Sequence, residues 1–339
     1  MEEVAIIADL NSDGAYFAKG IYDYLRVKEG RGFSVSLIGL KITNFKDKEF
    51  KIKVEENIRG KMCFLIHDSN KEPCRWLSEL AFILDALAFS SPQEINIILP
   101  YTRFARQDRK DESRVSVNAK VVANLISDYA TRGMTIDLHT PQMQEYFSIP
   151  FDNLSSMPSL INYLKKNHAG VLQDLVIVSP DLGGGKRAEY LVKRLNSIGI
   201  KTEVAFGHKT REKDNEVAKT IVIGNVEGKN CLIIDDIIDT GNTMAKTAEV
   251  LREKGAKKIF AFATHGLFTE GIEKLKVFDK LLIGDTMKVP ADGNLEVVSF
   301  INLFGEAIYR TVSGESLSVL FGDRKEDMEQ KSLDVWEKI

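Results

Sequence analysis

Short, unbroken apolar runs alternate along this chain with stretches whose apolar residues recur every three or four positions. Val4-Ala5-Ile6-Ile7-Ala8 has the first pattern and predicts a strand, while residues 16–25 have the second and predict a helix. The rhythm continues with strand 62–67, helix 76–89, strand 95–100, helix 116–129 and strand 133–138. A second series follows: strand 175–179, helix 186–197, strands 202–206 and 230–235, helix 242–254, strand 258–264 and helix 268–276. Runs such as Cys231-Leu232-Ile233-Ile234 lack polar alternation, as strands covered on both faces should. The order predicts an α/β protein whose sheets are mainly parallel and flanked by helices.

The two series share more than rhythm. Gly60-Lys61-Met62-Cys63-Phe64-Leu65-Ile66-His67-Asp68 resembles Gly228-Lys229-Asn230-Cys231-Leu232-Ile233-Ile234-Asp235-Asp236, 168 positions further on. The match predicts an internal duplication, with a boundary near residues 155–158. At 339 residues the chain has room for two domains of roughly 150 residues. We therefore expect domains at 1–156 and 157–339.

Composition narrows the function classes. Apolar residues make up 44% and charged residues 28%, ordinary for a globular protein. A net charge of -3 gives no global basic field, so neither nucleic acid nor a membrane surface is expected as a partner. Cys63, Cys74 and Cys231 have neither metal spacing nor the density of a disulfide framework, and read as reduced thiols. The acidic start Met1-Glu2-Glu3-Val4 is unlike a targeting peptide, and no apolar run reaches 18 residues. The cytoplasm is the expected location.

The densest chemistry lies in Ile233-Ile234-Asp235-Asp236-Ile237-Ile238-Asp239-Thr240-Gly241-Asn242-Thr243. A buried strand ends in two carboxylates, and a short loop then opens a helix. Hydroxyls and unpaired amides at a helix start favour a phosphate, and Gly241 lets backbone come close. Asp235 and Asp236 suit sugar hydroxyls, which donate to carboxylates. A calcium loop fits less well, because its Asp-x-Asp-x-Asp-Gly spacing and closing Glu are absent.

Four further segments carry polar chemistry at predicted strand ends. Pro100-Tyr101-Thr102-Arg103-Phe104-Ala105-Arg106-Gln107-Asp108-Arg109-Lys110 is dense in cations, which suits a polyphosphate, although composition alone favours a solvated basic loop or a nucleic-acid patch. Ile136-Asp137-Leu138-His139, followed by Asp152, offers His and carboxylates to a metal, although His is a poor ligand for Mg²⁺. Val178-Ser179-Pro180-Asp181-Leu182-Gly183-Gly184-Gly185-Lys186-Arg187-Ala188 is a strand, a glycine turn with one Asp, and a helix start. His208-Lys209-Thr210-Arg211-Glu212-Lys213 is charge-rich, as a solvated loop or a catalytic lid would be.

Taken together, these strings resemble the ribose-phosphate pyrophosphokinases, and the Asp-Thr-Gly-x-Thr loop resembles type I phosphoribosyltransferases as well. The likeness runs from about residue 40 to 322 and includes Ala263-Thr264-His265-Gly266 and Gly314-Glu315-Ser316-Leu317-Ser318. It implies two tandem type I phosphoribosyltransferase-like domains, and Mg²⁺-dependent transfer of the β,γ-diphosphate of ATP to ribose 5-phosphate. Under it, Asp235, Asp236 and Asp239 to Thr243 (Asp239, Thr240, Gly241, Asn242, Thr243) bind the sugar phosphate. Arg106 and Gln107 bind ATP. His139, Asp181 and Asp137 are metal candidates, and Lys209 and Arg211 stabilise the group in transfer, with Arg211 also at the sugar phosphate. Phe45-Lys46-Asp47-Lys48-Glu49 resembles a segment that meets the ATP of a neighbouring subunit, so Phe45, Asp47, Lys48 and Glu49 imply a homo-oligomer with a shared active site.

Some positions depart from the family pattern. Lys48 replaces a usual Gly, Ser148 stands where many members have an Asp, Gly185-Lys186 replaces an apolar pair, and Asn225 replaces Asp in a Gly-Asp-Val string. None removes the sugar loop, the Arg-Gln pair, the His or the lid cations. Two competing readings are a non-catalytic subunit that restrains an active partner and a phosphoribosyltransferase with a base as acceptor.

Overall fold

The computed structural model describes residues 1–181, 183–210 and 219–321. Fourteen strands form two seven-stranded sheets. The first holds β1 (Glu2–Ala8), β2 (Phe33–Asn44), β3 (Phe50–Val54), β4 (Met62–Ile66), β5 (Glu94–Leu99), β6 (Arg132–Ile136) and β7 (Phe151–Leu154). The second holds β8 (Leu175–Ser179), β9 (Glu203–Thr210), β10 (Lys219–Ile223), β11 (Asn230–Ile238), β12 (Lys258–Gly266), β13 (Lys280–Gly284) and β14 (Leu295–Val298). Their orders, β3-β2-β1-β4-β5-β6-β7 and β10-β9-β8-β11-β12-β13-β14, are the same order repeated. In each sheet only the edge pair, β2 with β3 or β9 with β10, is antiparallel.

The duplication expected from the glycine-strand match thus holds at the level of topology, and the matched strings are β4 and β11. Both are entered through a glycine at positive φ, Gly60 at 72° and Gly228 at 69°, a conformation that costs any residue with a Cβ. Cys63 and Cys231 occupy the same place in the two strands. Both are buried free thiols, and burial pushes each up to about 12, which keeps them inert.

Helices cover the sheets: α1 (Ala15–Arg26), α2 (Pro73–Phe89), α3 (Asn118–Ser127), α4 (Met157–Asn167), α5 (Gly185–Ser197), α6 (Asn242–Glu253), α7 (Ile301–Val312) and the short α8 (Ser318–Phe321). Apolar spacing decides their buried faces; α1 buries Phe17, Ala18, Ile21 and Leu25, and α2 buries Trp76, Leu80, Ile83, Leu84 and Leu87. No described helix is long and apolar enough to cross a membrane. The helix expected over 268–276 is instead a turn closed by the Gly271 amide on the Phe268 carbonyl (2.9 Å), followed by a 3₁₀ segment, Glu273–Val277. Positive φ at Phe268 (49°) and Gly271 (74°) breaks the helical path there.

The chain divides into two compact units, and their boundary lies between Ser156 and Met157. The expected second domain reached residue 339, whereas residues 286–288 and 300–321 belong to the first unit. The reason is a swap of helices. After β7 the chain moves into α4, which packs in the second unit, where Tyr163 donates to Glu296 of β14 (2.9 Å). After β14 it moves into α7, which packs on α1 of the first unit. There the buried Glu306 accepts from Tyr24 Oη (2.7 Å), Arg310 Nε (2.8 Å) and Lys28, and Gly20 and Gly305 let the two helices approach.

The start of α2 also bears on function. The Glu72 carboxylate accepts from the amides of Cys74 (3.1 Å) and Arg75 (3.0 Å), so the helix is capped by its own chain. Beside it, the Lys71 ammonium lies between Asp9 (2.8 Å) and the buried Glu79, which also pairs with Arg75.

Candidate active site

In each sheet the first strand has successors on both sides, so the direction in which the sheet grows reverses next to it. In the second unit this point lies between β8 and β11. Open α/β sheets bind ligands at such a point, beyond the carboxyl ends of the strands, because the loops on either side diverge and leave a crevice. The neighbours β9, β8 and β11 run towards it in register: Ile233 pairs with Val178, and Val178 with Ala205. Lys209 on β9, Asp181 after β8 and Asp235 on β11 thus leave three adjacent strands, spread over two strand spacings or about 10 Å.

The β11 end carries the predicted sugar-phosphate loop. Asp235 keeps 25% side-chain exposure and Asp236 only 7%. Arg187, in the first turns of α5, lies 3.0 Å from Asp235 Oδ1 and 3.2 Å from Asp236 Oδ1 through one nitrogen, Nη1. The Asp236 amide also donates to Asp235 Oδ1 (2.9 Å). Burial, then the neighbouring Asp236, pushes the Asp235 carboxyl up to about 7, against the pull of Arg187. Sequence reasoning missed Arg187. It stood inside the quoted glycine-turn string, but nothing in that string says that it faces two carboxylates on another strand.

Beyond Ile238 the backbone bends, and Gly241 serves as N-cap of α6 at φ 74°. Gly241 brings no side chain to this helix start; the Asn242 amide donates to Thr240 Oγ1 (3.5 Å), and the helix dipole turns partial positive charge towards the crevice. Thr240 Oγ1 accepts from the Asn242 side-chain amide (3.1 Å), Asn242 Oδ1 accepts from Lys274 (2.8 Å), and the Thr269 hydroxyl donates to Asp239. The Thr243 carbonyl accepts from Thr247 (2.9 Å). The loop is therefore held in shape by its own side chains. Asp181 is exposed in the turn before α5, and its Oδ1 accepts from the Gly184 amide (2.8 Å). The backbone of Lys209 pairs with Thr220 on β10, and Arg211 lies outside the described residues.

The first unit carries the other predicted residues. Arg106 is exposed and Gln107 half-buried in the loop after β5. Gln107 Nε2 donates to the Arg109 carbonyl (3.0 Å) and to Asp111 (3.1 Å). This loop is tied to the one after β6. Thr140 donates to Asp108 (2.6 Å), and the Tyr146 hydroxyl donates to the Asp108 carbonyl. His139 is exposed next to Thr140, so the structure brings the Arg-Gln pair and His139 to neighbouring strand ends. Asp137, at φ 42°, has both oxygens engaged by Ser156, one by its hydroxyl and one by its amide (3.4 Å). Asp152 pairs with Arg132. Among the described residues, no three His, Cys, Asp or Glu side chains are gathered around a common point for a metal.

Phe45 to Glu49 form the tip of the β2–β3 hairpin. The Phe45 amide donates to the Glu49 carbonyl (2.7 Å), and the Glu49 amide to Asp47 Oδ1 (3.0 Å). Phe45 is half exposed. The hairpin leaves the same sheet edge as the Arg106 loop but stands three strands away from β5, about 14 Å. Lys48 has φ 75°, which explains why glycine is usual there. Lys48→Gly should therefore stabilise the protein by about 0.5–1 kcal/mol, the αL strain of lysine less the greater freedom of glycine in the unfolded chain. A urea melt with an unchanged slope and a higher midpoint would report it, and an unchanged midpoint would contradict it.

Three comparisons bear on this arrangement. Residues 6–129 match a family described as the N-terminal domain of ribose phosphate pyrophosphokinase, and residues 202–322 match a phosphoribosyl synthetase-associated domain. The chain is 40% identical over 304 residues to the ribose-phosphate pyrophosphokinase of Cereibacter sphaeroides, spanning 87% of this chain and 89% of that one. It is 41% identical over 294 residues to the enzyme of that name from Chlorobaculum tepidum, spanning 85% and 88%. The crystal structure of phosphoribosylpyrophosphate synthetase from Mycobacterium smegmatis superposes with a TM-score of 0.81 at 29% identity, covering 93% of this chain and all of that one.

Proposed function

The chain belongs to the ribose-phosphate pyrophosphokinase family, and from that premise we propose how its residues transfer the β,γ-diphosphate of ATP to the C1 hydroxyl of ribose 5-phosphate. The products are 5-phosphoribosyl 1-diphosphate and AMP. The C1 oxygen attacks the β-phosphorus, and the bond from that phosphorus to the α–β bridging oxygen breaks, so that AMP leaves with the oxygen.

One observation carries the assignment of the sugar: a helix start with glycine as its cap residue next to two acceptor carboxylates, at the reversal point of the second sheet. The 5-phosphate lies on the amides and hydroxyls of Thr240, Gly241, Asn242 and Thr243, and Asp235 and Asp236 accept from ring hydroxyls. Arg106 and Gln107 take the nucleotide. Lys209 and Arg211 neutralise the oxygens of the group in transfer, because phosphoryl transfer depends on alignment and charge stabilisation more than on covalent help.

The donor set suits Mg²⁺. This ion keeps several waters, takes one or two carboxylates and completes its shell with substrate phosphates, so a gathered protein cage is not needed. Asp181 in the second unit and His139 in the first are each exposed, and each would hold a hydrated ion at its own strand end, directly or through water; Asp137, occupied by Ser156, orients the loop that bears His139. When bound, Mg²⁺ withdraws charge from the phosphate oxygens.

The separation of the β2–β3 hairpin from the Arg106 loop supports a homo-oligomer in which Phe45, Asp47, Lys48 and Glu49 of one chain meet the ATP of another. The direct test is release of AMP when purified protein is mixed with ribose 5-phosphate, Mg²⁺ and ATP. Release of AMP with formation of 5-phosphoribosyl 1-diphosphate is expected. Its absence would indicate a restraining subunit, and consumption of 5-phosphoribosyl 1-diphosphate would indicate a base-dependent transferase.

A further inference from the structure

We propose that Arg187 is a positioning residue for the sugar: its guanidinium bridges Asp235 and Asp236, holds their carboxyl groups in one arrangement and favours the acceptor form that ribose hydroxyls require. The proposal deepens the reading of the β11 loop given above and rests on it.

Two carboxylates stand on consecutive residues of β11. Asp236 is buried and Asp235 is a quarter exposed. Two such groups side by side repel, and away from water the repulsion is relieved by retaining a proton on one of them. A protonated carboxyl has lost part of its capacity to accept from a hydroxyl and adds a donor of its own, which is the wrong polarity for a sugar diol. A cation between the two opposes this retention. Arg187 Nη1 reaches both, at 3.0 and 3.2 Å, and approaches from α5, which follows the Asp181 turn. A guanidinium suits this task because it stays charged in every protein environment.

The bridge also fixes geometry. Arg187 stands two residues into α5, whose start is set by the Asp181 carboxylate on the Gly184 amide. One short path therefore links the metal candidate Asp181 to the sugar carboxylates. It runs through α5 and crosses the reversal point between β8 and β11.

The test uses the full-length enzyme. Arg187→Met removes the charge and keeps most of the aliphatic bulk, and Arg187→Lys keeps the charge. The proposal predicts that Arg187→Met raises KM for ribose 5-phosphate by about tenfold to a hundredfold, the range for one charged hydrogen-bonding group, while KM for ATP stays within about twofold. Arg187→Lys recovers most of the loss. With Asp236→Asn already present, removal of Arg187 should cost much less, because the second charge that it balances has gone. A merely structural arginine would not show this coupling. If Arg187→Met does not fold, Arg187→Gln, which is polar and uncharged, is expected to show the same raised KM. An unchanged KM for the sugar, equal losses for sugar and ATP, or a full Arg187 effect in the Asp236→Asn background would each overturn the proposal. Failure of the underlying reading looks different: the wild-type chain would then release no AMP with ribose 5-phosphate.

Discussion

Lys209→Ala should lower kcat by roughly 10³ or more while KM for either substrate changes by less than about tenfold. The reason is where charge appears. In the ground state the phosphate oxygens are already neutralised by metal and solvent, whereas in transfer the charge spreads over the equatorial oxygens of the migrating group, and a cation aimed there acts mainly on the transition state. The backbone of Lys209 runs at the carboxyl end of β9, two strands from β11. Single-turnover AMP release at saturating substrates would measure the effect. A rise in KM at constant kcat would make Lys209 a ground-state binding residue, and an unchanged kcat would remove it from the chemistry.

Gly241→Ala should be nearly as damaging, through the backbone. At φ 74° an alanine pays about 1–2 kcal/mol of local strain. Its Cβ would stand 2.5 Å from Leu275 Cδ2, and Leu275 is 1% exposed in the core of the second unit, with little freedom to yield. The helix start must move, and its amides move with it. We expect KM for ribose 5-phosphate to rise by about 10² and KM for ATP to hold. That is about 2.7 kcal/mol, in line with loss of one or two charge-assisted bonds to phosphate. Gly30→Ala is the control for strain alone, because Gly30 also has positive φ (85°) but nothing within 4 Å of the added methyl. If both substitutions lower stability equally and leave the sugar KM unchanged, the cradle does not depend on Gly241.

The sequence made the buried frame legible and left its margins obscure. β4, β5, β8 and β11 are runs of Ile, Leu, Val, Phe and Cys, buried on both faces, and period alone found them. β2 and β3 were missed because Phe33–Asn44 and Phe50–Val54 interleave Ser or Lys with apolar residues at a half-exposed edge. The helix at 268–276 was expected from spacing that a left-handed glycine overrides. The exchange of α4 and α7 could not be read locally, since it depends on which sheet offers a matching face. Motif residues at strand ends were found because strand-loop-helix junctions write their chemistry contiguously. The Arg187 bridge was not, because it joins residues 48 positions apart.

The self-capped start of α2 has a consequence for stoichiometry. Glu72 and Lys71 stand after β4, where the loop bearing Asp239 and Gly241 stands after β11, since the two sheets repeat one order. In the first unit a resident carboxylate already satisfies the amides that an incoming phosphate would seek, and the ammonium beside it is bound on two sides. On the proposed reading, the duplicated chain therefore has its pentose berth in the second unit. The forward half is left free to specialise in the nucleotide.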